Sequence, residues 1–162
     1  MSEHRYRARA LRGDYIRAGA GLALVGLPLA AAPVGAPAAW VLGAMAALFA
    51  GFGGRTWLRQ KSVYRVDETS IVREGPLGRA VPWEEMTALR LRYYATRRDR
   101  SGGWMQMTVR GAGATMRIDS TLEGFREVAA AALRAADAAG LTLDAATLEN
   151  ARALGAAPRE RR

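Results

Sequence analysis

The longest stretch without a charged residue runs from Ala18 to Gly54 and is bounded by an arginine on each side. One crossing of the hydrocarbon core of a bilayer takes about 20 apolar residues. The stretch is too long for one crossing and fits two short ones. Two prolines and a glycine within residues 33–37 favour a turn over a continuous helix. The sequence therefore predicts a membrane hairpin of two helices, at about residues 18–32 and 38–54.

The flanks of this hairpin are basic. Residues 1–17 carry five Arg against two acids, and residues 55–61 carry three cations. Because short loops rich in Lys and Arg stay in the cytoplasm, both flanks are predicted to be cytoplasmic, as an N-terminal tail and a juxtamembrane linker. An even number of crossings follows. The residues expected at the membrane interfaces are Tyr15, Arg17, Trp40, Arg55, Trp57, Arg59 and Lys61.

Residues 1–32 also fit a cleaved signal peptide. They contain a basic n-region, an apolar h-region at Gly21–Leu29 and small residues at 30–32 that resemble a cleavage site. The second apolar segment would then stop transfer, because Arg55 and Arg59 follow it. The C-terminal part of the chain is predicted to be cytoplasmic under either interpretation.

The second predicted span carries a small residue at every fourth position. Such a stripe lets two helix backbones approach closely in lipid. We expect it to pack against the first helix of the same hairpin, with a homo-oligomer interface as the alternative. The stripe consists of Ala39, Gly43, Ala47 and Gly51.

The composition limits the chemistry of the chain. There is no Cys, so thiol chemistry is excluded, and the presence of a single His, His4, argues against His-based catalysis and His/Cys zinc sites. The net charge of +9 suits anionic lipid, nucleic acid or an acidic partner, and the apolar stretch favours lipid over nucleic acid. We therefore expect a protein that is not an enzyme and has no cofactor or metal.

After the apolar stretch the pattern changes to short alternating runs separated by turn residues, which predicts an antiparallel meander. A helix is predicted to follow, with a capping box at Ser120 and Glu123 and a stop at Gly140. A shorter second helix is predicted within residues 141–155, and a disordered basic tail at residues 156–162. The predicted strands are residues 62–67, 70–74, 79–83, 89–96, 104–110 and 115–119.

This order of elements resembles that of bacterial pleckstrin-homology-like (PH-like) membrane proteins. The resemblance covers roughly residues 40–140 and is most specific at Val81-Pro82-Trp83-Glu84-Glu85-Met86, ahead of a Leu-x-Leu strand. It implies that residues 62–140 form a partly open antiparallel β-barrel plugged by the C-terminal helix. It also implies a location in the bacterial inner (cytoplasmic) membrane. The other segments that carry it are Tyr64-Arg65-Val66-Asp67-Glu68, Ile71-Val72-Arg73, the Gly78-Arg79 turn and the helix that starts near Leu122.

Arginines and aromatic residues are concentrated in one segment. One interpretation is a face that binds phospholipid head groups or an acidic partner, and the other is a solvated face whose arginines protect a sheet edge. The loop that is basic in phosphoinositide-binding PH domains is here Asp67-Glu68-Thr69, which argues against that ligand. The candidate face, called the arginine face below, consists of Arg90, Arg92, Tyr94, Arg97, Arg98 and Arg100.

Together these features predict a non-catalytic, multi-pass inner-membrane protein with both termini in the cytoplasm. Its β-domain is predicted to bind an unidentified protein partner or to help assemble a complex at the membrane surface. The alternative is a module that senses anionic lipid through the arginine face. An accessory subunit of a membrane enzyme or transporter is less favoured, because residues 18–54 contain no ionisable group.

Overall fold

A computed structural model describes residues 2–31, 33–95 and 103–156. They divide into two compact units. The helix unit contains residues 6–61, and the sheet unit contains residues 2–5 together with residues 62–156. The predicted disordered tail lies outside the described residues, except for Ala156.

The helix unit consists of α1 (Ala8–Ala31) and α2 (Ala36–Lys61). Both helices extend beyond the uncharged stretch. The predicted tail therefore contains the first turns of α1, and residues 55–61 form the last turns of α2, so the predicted helix bounds of about 18–32 and 38–54 are too short. The physical reason is that Arg, Leu, Gln and Lys are good helix formers, so the appearance of charge does not end a helix.

Among the described residues, one helix, α2, is long and apolar enough to cross a membrane. Its most apolar window contains no buried residue. The uncharged part of α1, residues 18–31, is shorter than the length of a single crossing, and charged residues fill the preceding turns of the same helix. One helix that could span a membrane is thus present in the described part of the chain, and the predicted membrane hairpin of two spans stays a prediction.

The two helices pack through small residues. A Cβ atom added at Gly21 of α1 would overlap the ring of Phe49 of α2, and one added at Gly53 would lie 3.4 Å from Cβ of Ala18. Added Cβ atoms at Gly43 and Gly51 would meet no atom within 4 Å. The expectation that the small-residue stripe packs against the first helix is therefore wrong, because Phe49 and Gly53 occupy that interface.

The sheet unit is an α+β fold, which confirms the predicted class. Its described strands form two antiparallel sheets, one with the order β1-β2-β3-β4 and one with the order β5-β6-β7. A PH-like barrel stays a prediction. The strands are β1 (Ser2–Arg5), β2 (Val63–Val66), β3 (Ser70–Glu74), β4 (Arg79–Pro82), β5 (Met86–Tyr94), β6 (Trp104–Gly111) and β7 (Ala114–Asp119).

Strand β1 corrects the sequence interpretation, which placed these residues in a tail. It pairs antiparallel with β2, with Glu3 opposite Arg65. His4 is only 4% exposed, and its ring nitrogens contact the Glu123 carbonyl at 3.0 Å and the Ser2 hydroxyl at 2.9 Å. The sequence concealed this strand because a short polar segment becomes a strand only when distant residues satisfy its hydrogen bonds.

Helix α3 (Phe125–Ala138) buries one apolar stripe in the core of the sheet unit. The predicted capping box is wrong, because α3 begins after Gly124 and has no side-chain cap. The Ser120 hydroxyl instead accepts a hydrogen bond from Met105 N–H at 3.0 Å, and Glu123 N–H donates to the Arg5 carbonyl at 3.1 Å. Ser120 and Glu123 therefore form hydrogen bonds with strands β6 and β1 and do not cap the helix.

Helix α4 (Ala145–Ala153) covers the edge of β5. Asp144 caps it, accepting a hydrogen bond from Thr147 N–H at 2.8 Å. The Thr147 hydroxyl accepts from Leu91 N–H at 3.1 Å, and the Asn150 amide donates to the Leu91 carbonyl at 2.8 Å. Two side chains therefore satisfy backbone groups that an open strand edge would expose.

Candidate functional site

The structure divides the arginine face. Arg90 is exposed on β5, whereas Arg92 donates to the Asp144 carboxylate at 2.8 Å. Hydrogen bonds from Thr147, together with the positive charge of Arg92, hold the pKa of Asp144 below its ordinary value. Arg92 therefore has a structural partner at the start of α4. Arg97, Arg98 and Arg100 lie outside the described residues.

An exposed aromatic pair ends the same face. Tyr94 stands opposite Trp104 in the β5–β6 register, and their rings stack with centroids 5.3 Å apart. They are 43% and 40% exposed. On the described part of the arginine face, Arg90 and this aromatic pair are therefore the groups that are exposed for binding a ligand.

The predicted interface residues lie toward the two ends of α2 and on the charged half of α1. Trp40 near the start of α2 is 82% exposed, and Trp57 is also exposed. A rise of 1.5 Å per residue separates these two tryptophans by about 25 Å, close to the thickness of a hydrocarbon core. Arg55 and Lys61 are exposed near the end of α2.

The other three predicted interface residues have partners within the helix unit. Tyr15 donates its hydroxyl hydrogen to the Gln60 side-chain oxygen at 2.5 Å. Arg17 pairs with Asp14 at 3.2 Å. The guanidinium carbon of Arg59 lies 4.8 Å from the centroid of the Tyr6 ring, in cation–π geometry.

A groove of about 1020 Å³ opens on the sheet unit. We call it the acidic groove. One wall is a row of alanines on α3, and Trp83 forms part of the opposite side. Trp83 is held in place because its indole N–H donates to the Asp67 carbonyl at 3.0 Å. The lining residues are Ser2, Val66, Asp67, Glu68, Trp83, Glu84, Glu127, Ala131, Arg134, Ala135, Ala138 and Ala139.

Four carboxylates and one guanidinium line this groove, so its charge opposes that of the chain as a whole. Hydrogen bonds from Thr69, and then from Ser70, hold the pKa of Asp67 below its ordinary value. Glu84 and Glu127 have no hydrogen-bond or ion-pair partner among the described residues. Carboxylates that are not paired internally remain available to a cationic ligand.

Comparison with protein-family models, curated proteins and solved structures finds no match. The resemblance to PH-like proteins therefore stays a prediction. Within the described residues, no group of three or more His, Asp and Glu side chains is arranged to hold a metal ion.

Sequence reasoning missed the acidic groove. Asp67-Glu68 and Glu84-Glu85 were visible as acidic pairs, but the pattern places each of them in a separate turn. The alanines at positions 131, 135 and 138 recur at helical spacing on the side of α3 away from its buried stripe. The sequence signal that could have indicated the groove is this second stripe of small residues on α3, which is not part of the buried core.

Proposed function

We propose that this chain is a non-catalytic inner-membrane protein whose helix unit anchors a cytoplasmic interaction module. The observation that carries the proposal is the outward apolar surface of the helix unit. Large apolar side chains point away from the helix pair along both helices, and Leu24 is 75% exposed. In water such a surface is costly, whereas in lipid it is the favoured arrangement. The exposed residues are Ile16, Leu22, Leu24, Leu27, Leu29, Trp40, Val41, Met45, Leu48, Phe52 and Trp57.

Strand β1 supports two crossings. It precedes α1 in sequence, yet it pairs with β2, which follows α2. Two strands of one sheet lie on the same side of a membrane, so the chain between them crosses an even number of times. The same pairing argues against cleavage of residues 1–32, because cleavage would remove β1 from the sheet.

Reporter fusions test this topology. A cytoplasm-dependent reporter is expected to be active at the C-terminus and also at the N-terminus, and a reporter that works only in the periplasm is expected to be inactive at both. Alkaline carbonate is expected to leave the full chain in the membrane pellet. Periplasmic activity at either end, or release by carbonate, contradicts the proposal.

The acidic groove is the interaction surface that the described charges favour. Its carboxylates suit a segment rich in Lys or Arg, and its alanine wall lets a helix approach closely. The partner of this module is therefore a protein with a basic helical segment.

A peptide of three Ala-Ala-Ala-Arg-Ala repeats, labelled with fluorescein, is a suitable probe for the full chain in zwitterionic nanodiscs. We expect saturable anisotropy, weakened about tenfold by Glu84→Lys, because charge reversal opposes the cationic probe. The matched control is Glu85→Lys, since Glu85 is exposed beside Glu84 but does not line the groove. Equal loss in both variants would mean that only diffuse charge attracts the probe.

A lipid-sensing role for the arginine face is the second candidate, favoured by the exposed Tyr94–Trp104 pair beside Arg90. Tyr and Trp side chains partition to membrane interfaces. Brominated phosphatidylglycerol should then quench Trp104 in a full chain with Trp40→Phe and Trp57→Phe, where buried Trp83 remains as background. Unquenched Trp104 emission favours the groove over this face.

The small-residue stripe on α2 is the proposed homo-oligomer contact, because Ala47 and Gly51 are exposed. The chain has no Cys, so single cysteines report contacts between copies without background. Oxidation is expected to dimerise the Ala47→Cys variant more than the Met45→Cys variant, which places the thiol on the opposite side of the helix. Equal dimer yields exclude the stripe as the contact.

A further inference from the structure

A second pocket, of about 470 Å³, is a shallow depression on the surface of the helix unit and has largely apolar walls; we call it the cavity below. It is formed by the charged half of α1 and by the last turn of α2. The position is where the uncharged stretch gives way to the basic flanks. The lining residues are Ala8, Arg9, Arg12, Tyr15, Ile16 and Gln60.

The polar side chains of this cavity that lack a partner among the described residues are mainly hydrogen-bond donors. Arg9 and Arg12 have no ion-pair or hydrogen-bond partner among the described residues, whereas Arg17 is paired with Asp14. Tyr15 donates to the side-chain oxygen of Gln60, which leaves the Gln60 amide NH₂ free to donate. Two guanidiniums and an amide donor are complementary to an anion with several oxygen acceptors, such as a phosphate.

The polarity of the cavity changes along α1. Arg9, Arg12 and Ile16 are spaced three and four residues apart, so they share one face of the helix. Ile16 is 60% exposed and leads toward the uncharged stretch. A soluble phosphate would use the two arginines and leave the apolar walls and Ile16 uncovered. A phospholipid would use both, since it joins a phosphate to an acyl chain.

We infer that this cavity binds one anionic glycerophospholipid, with its phosphate between Arg9 and Arg12 and its acyl chain against Ile16. Basic pockets beside membrane helices on the cytoplasmic side are suited to anionic head groups. The inference rests on the proposed membrane anchoring of the helix unit. It assigns the lipid to α1, through residues that are absent from the set expected at the interfaces from sequence.

Native mass spectrometry of the full chain in detergent tests this site, with phosphatidylglycerol or phosphatidylcholine as the added lipid. We expect one phosphatidylglycerol to be retained in preference to phosphatidylcholine. Arg9→Gln with Arg12→Gln is expected to reduce that preference about tenfold, because both phosphate contacts are lost. The matched control is Arg17→Gln with Arg55→Gln, which removes the same charge elsewhere and is expected to keep the preference.

Other outcomes separate the alternatives. Equal loss in both double variants, or equal retention of the two lipids by the unmodified chain, overturns the site. Displacement of phosphatidylglycerol by glycerol 3-phosphate overturns the role of the acyl chain. Arg9→Lys with Arg12→Lys, which keeps the charge, is expected to restore part of the preference and so excludes a simple folding defect. If the chain stays in the membrane pellet in alkaline carbonate but shows no lipid preference, only this lipid site is disproved. If carbonate releases the chain, the proposed membrane anchoring is disproved.

Discussion

The two units differ in how many large apolar side chains they leave exposed. In the sheet unit, large apolar residues such as Ile71, Leu91 and Met116 are buried, and charged residues lie outside. In the helix unit, the contact between α1 and α2 includes small residues such as Ala18 and Gly53, while several large apolar residues, among them Leu24 and Leu48, are exposed. This difference is the one expected if the sheet unit faces water and the helix unit, as proposed, faces lipid.

A charge placed on an outward leucine gives the largest expected effect and tests this contrast directly. Leu48 in α2 is 70% exposed, and Leu77 in a sheet-unit turn is 55% exposed. If Leu48 faces lipid, Leu48→Arg costs about 2.5–3.5 kcal/mol of insertion free energy, whereas Leu77→Arg costs almost nothing in water. The measurement is the membrane-inserted fraction of each variant.

Equal insertion of the two leucine variants would contradict the proposed difference between the units, because it would mean that Leu48 of α2 faces water. The expected result is a marked loss of insertion for Leu48→Arg alone.

The next largest effect is expected at Gly124, which lies against His4 of strand β1. Gly124 has φ of +71°, and a Cβ atom added there would overlap the His4 ring. Gly124→Ala is expected to lower the free energy of unfolding by about 2–3 kcal/mol, through backbone strain together with overpacking. Thermal unfolding of the full chain followed by circular dichroism provides the measurement.

Gly113→Ala is the control for this substitution. Gly113 also has positive φ, at +66°, but an added Cβ atom there meets nothing within 4 Å. Gly113→Ala should lower the free energy of unfolding only through backbone strain, by about 1 kcal/mol. Similar losses in the two variants would show that the contact with His4 contributes nothing.

A smaller effect is expected at the helix contact. Gly21→Ala should cost about 1–2 kcal/mol of packing free energy, because its Cβ overlaps Phe49, whereas Gly19→Ala has open space. A disulfide between Ala18→Cys and Gly53→Cys reports this contact, since the two Cβ positions are 3.4 Å apart. Oxidation in membranes should be fast in the double-cysteine chain and slower after Gly21→Ala. An unchanged rate would contradict the observed packing.

The smallest effect is a pH dependence at the cap of α4. The pKa of Asp144 is lower in the folded chain than its ordinary value, so its ionised form contributes stability above about pH 4. That contribution is lost as the pH falls through the folded pKa. Asp144→Asn should therefore lower the unfolding temperature near neutral pH and flatten its decline in acid. Glu149→Gln, on the exposed side of α4, should retain the decline.

Local turn chemistry accounts for what the sequence predicted well. Strand β3 was predicted with its observed bounds, because Asp67-Glu68-Thr69 and Gly75-Pro76 mark both ends. The gap between the predicted strands 104–110 and 115–119 coincides with the β6–β7 turn, where Ala112 and Gly113 both have positive φ. These signals lie within a few residues of the structure that they specify.

The errors involve contacts between residues far apart in sequence. Strand β1 depends on β2 and on Glu123, so four polar residues gave no local sign of it. The predicted Ser120 cap failed because its hydroxyl bonds Met105. The acidic groove joins turns with a helix more than forty residues away, which no local pattern indicates. Half of the arginine face lies outside the described residues.

The pairing of β1 with β2 also sets an order of events during synthesis. Residues 2–5 are synthesised before their partner strand, which lies about sixty residues later in the chain. At roughly 5–20 residues per second, the first strand waits for about 3–12 seconds before its partner exists. During that time the intervening helices are made. Strand β1 is therefore synthesised before both helices but can pair only after both have been made.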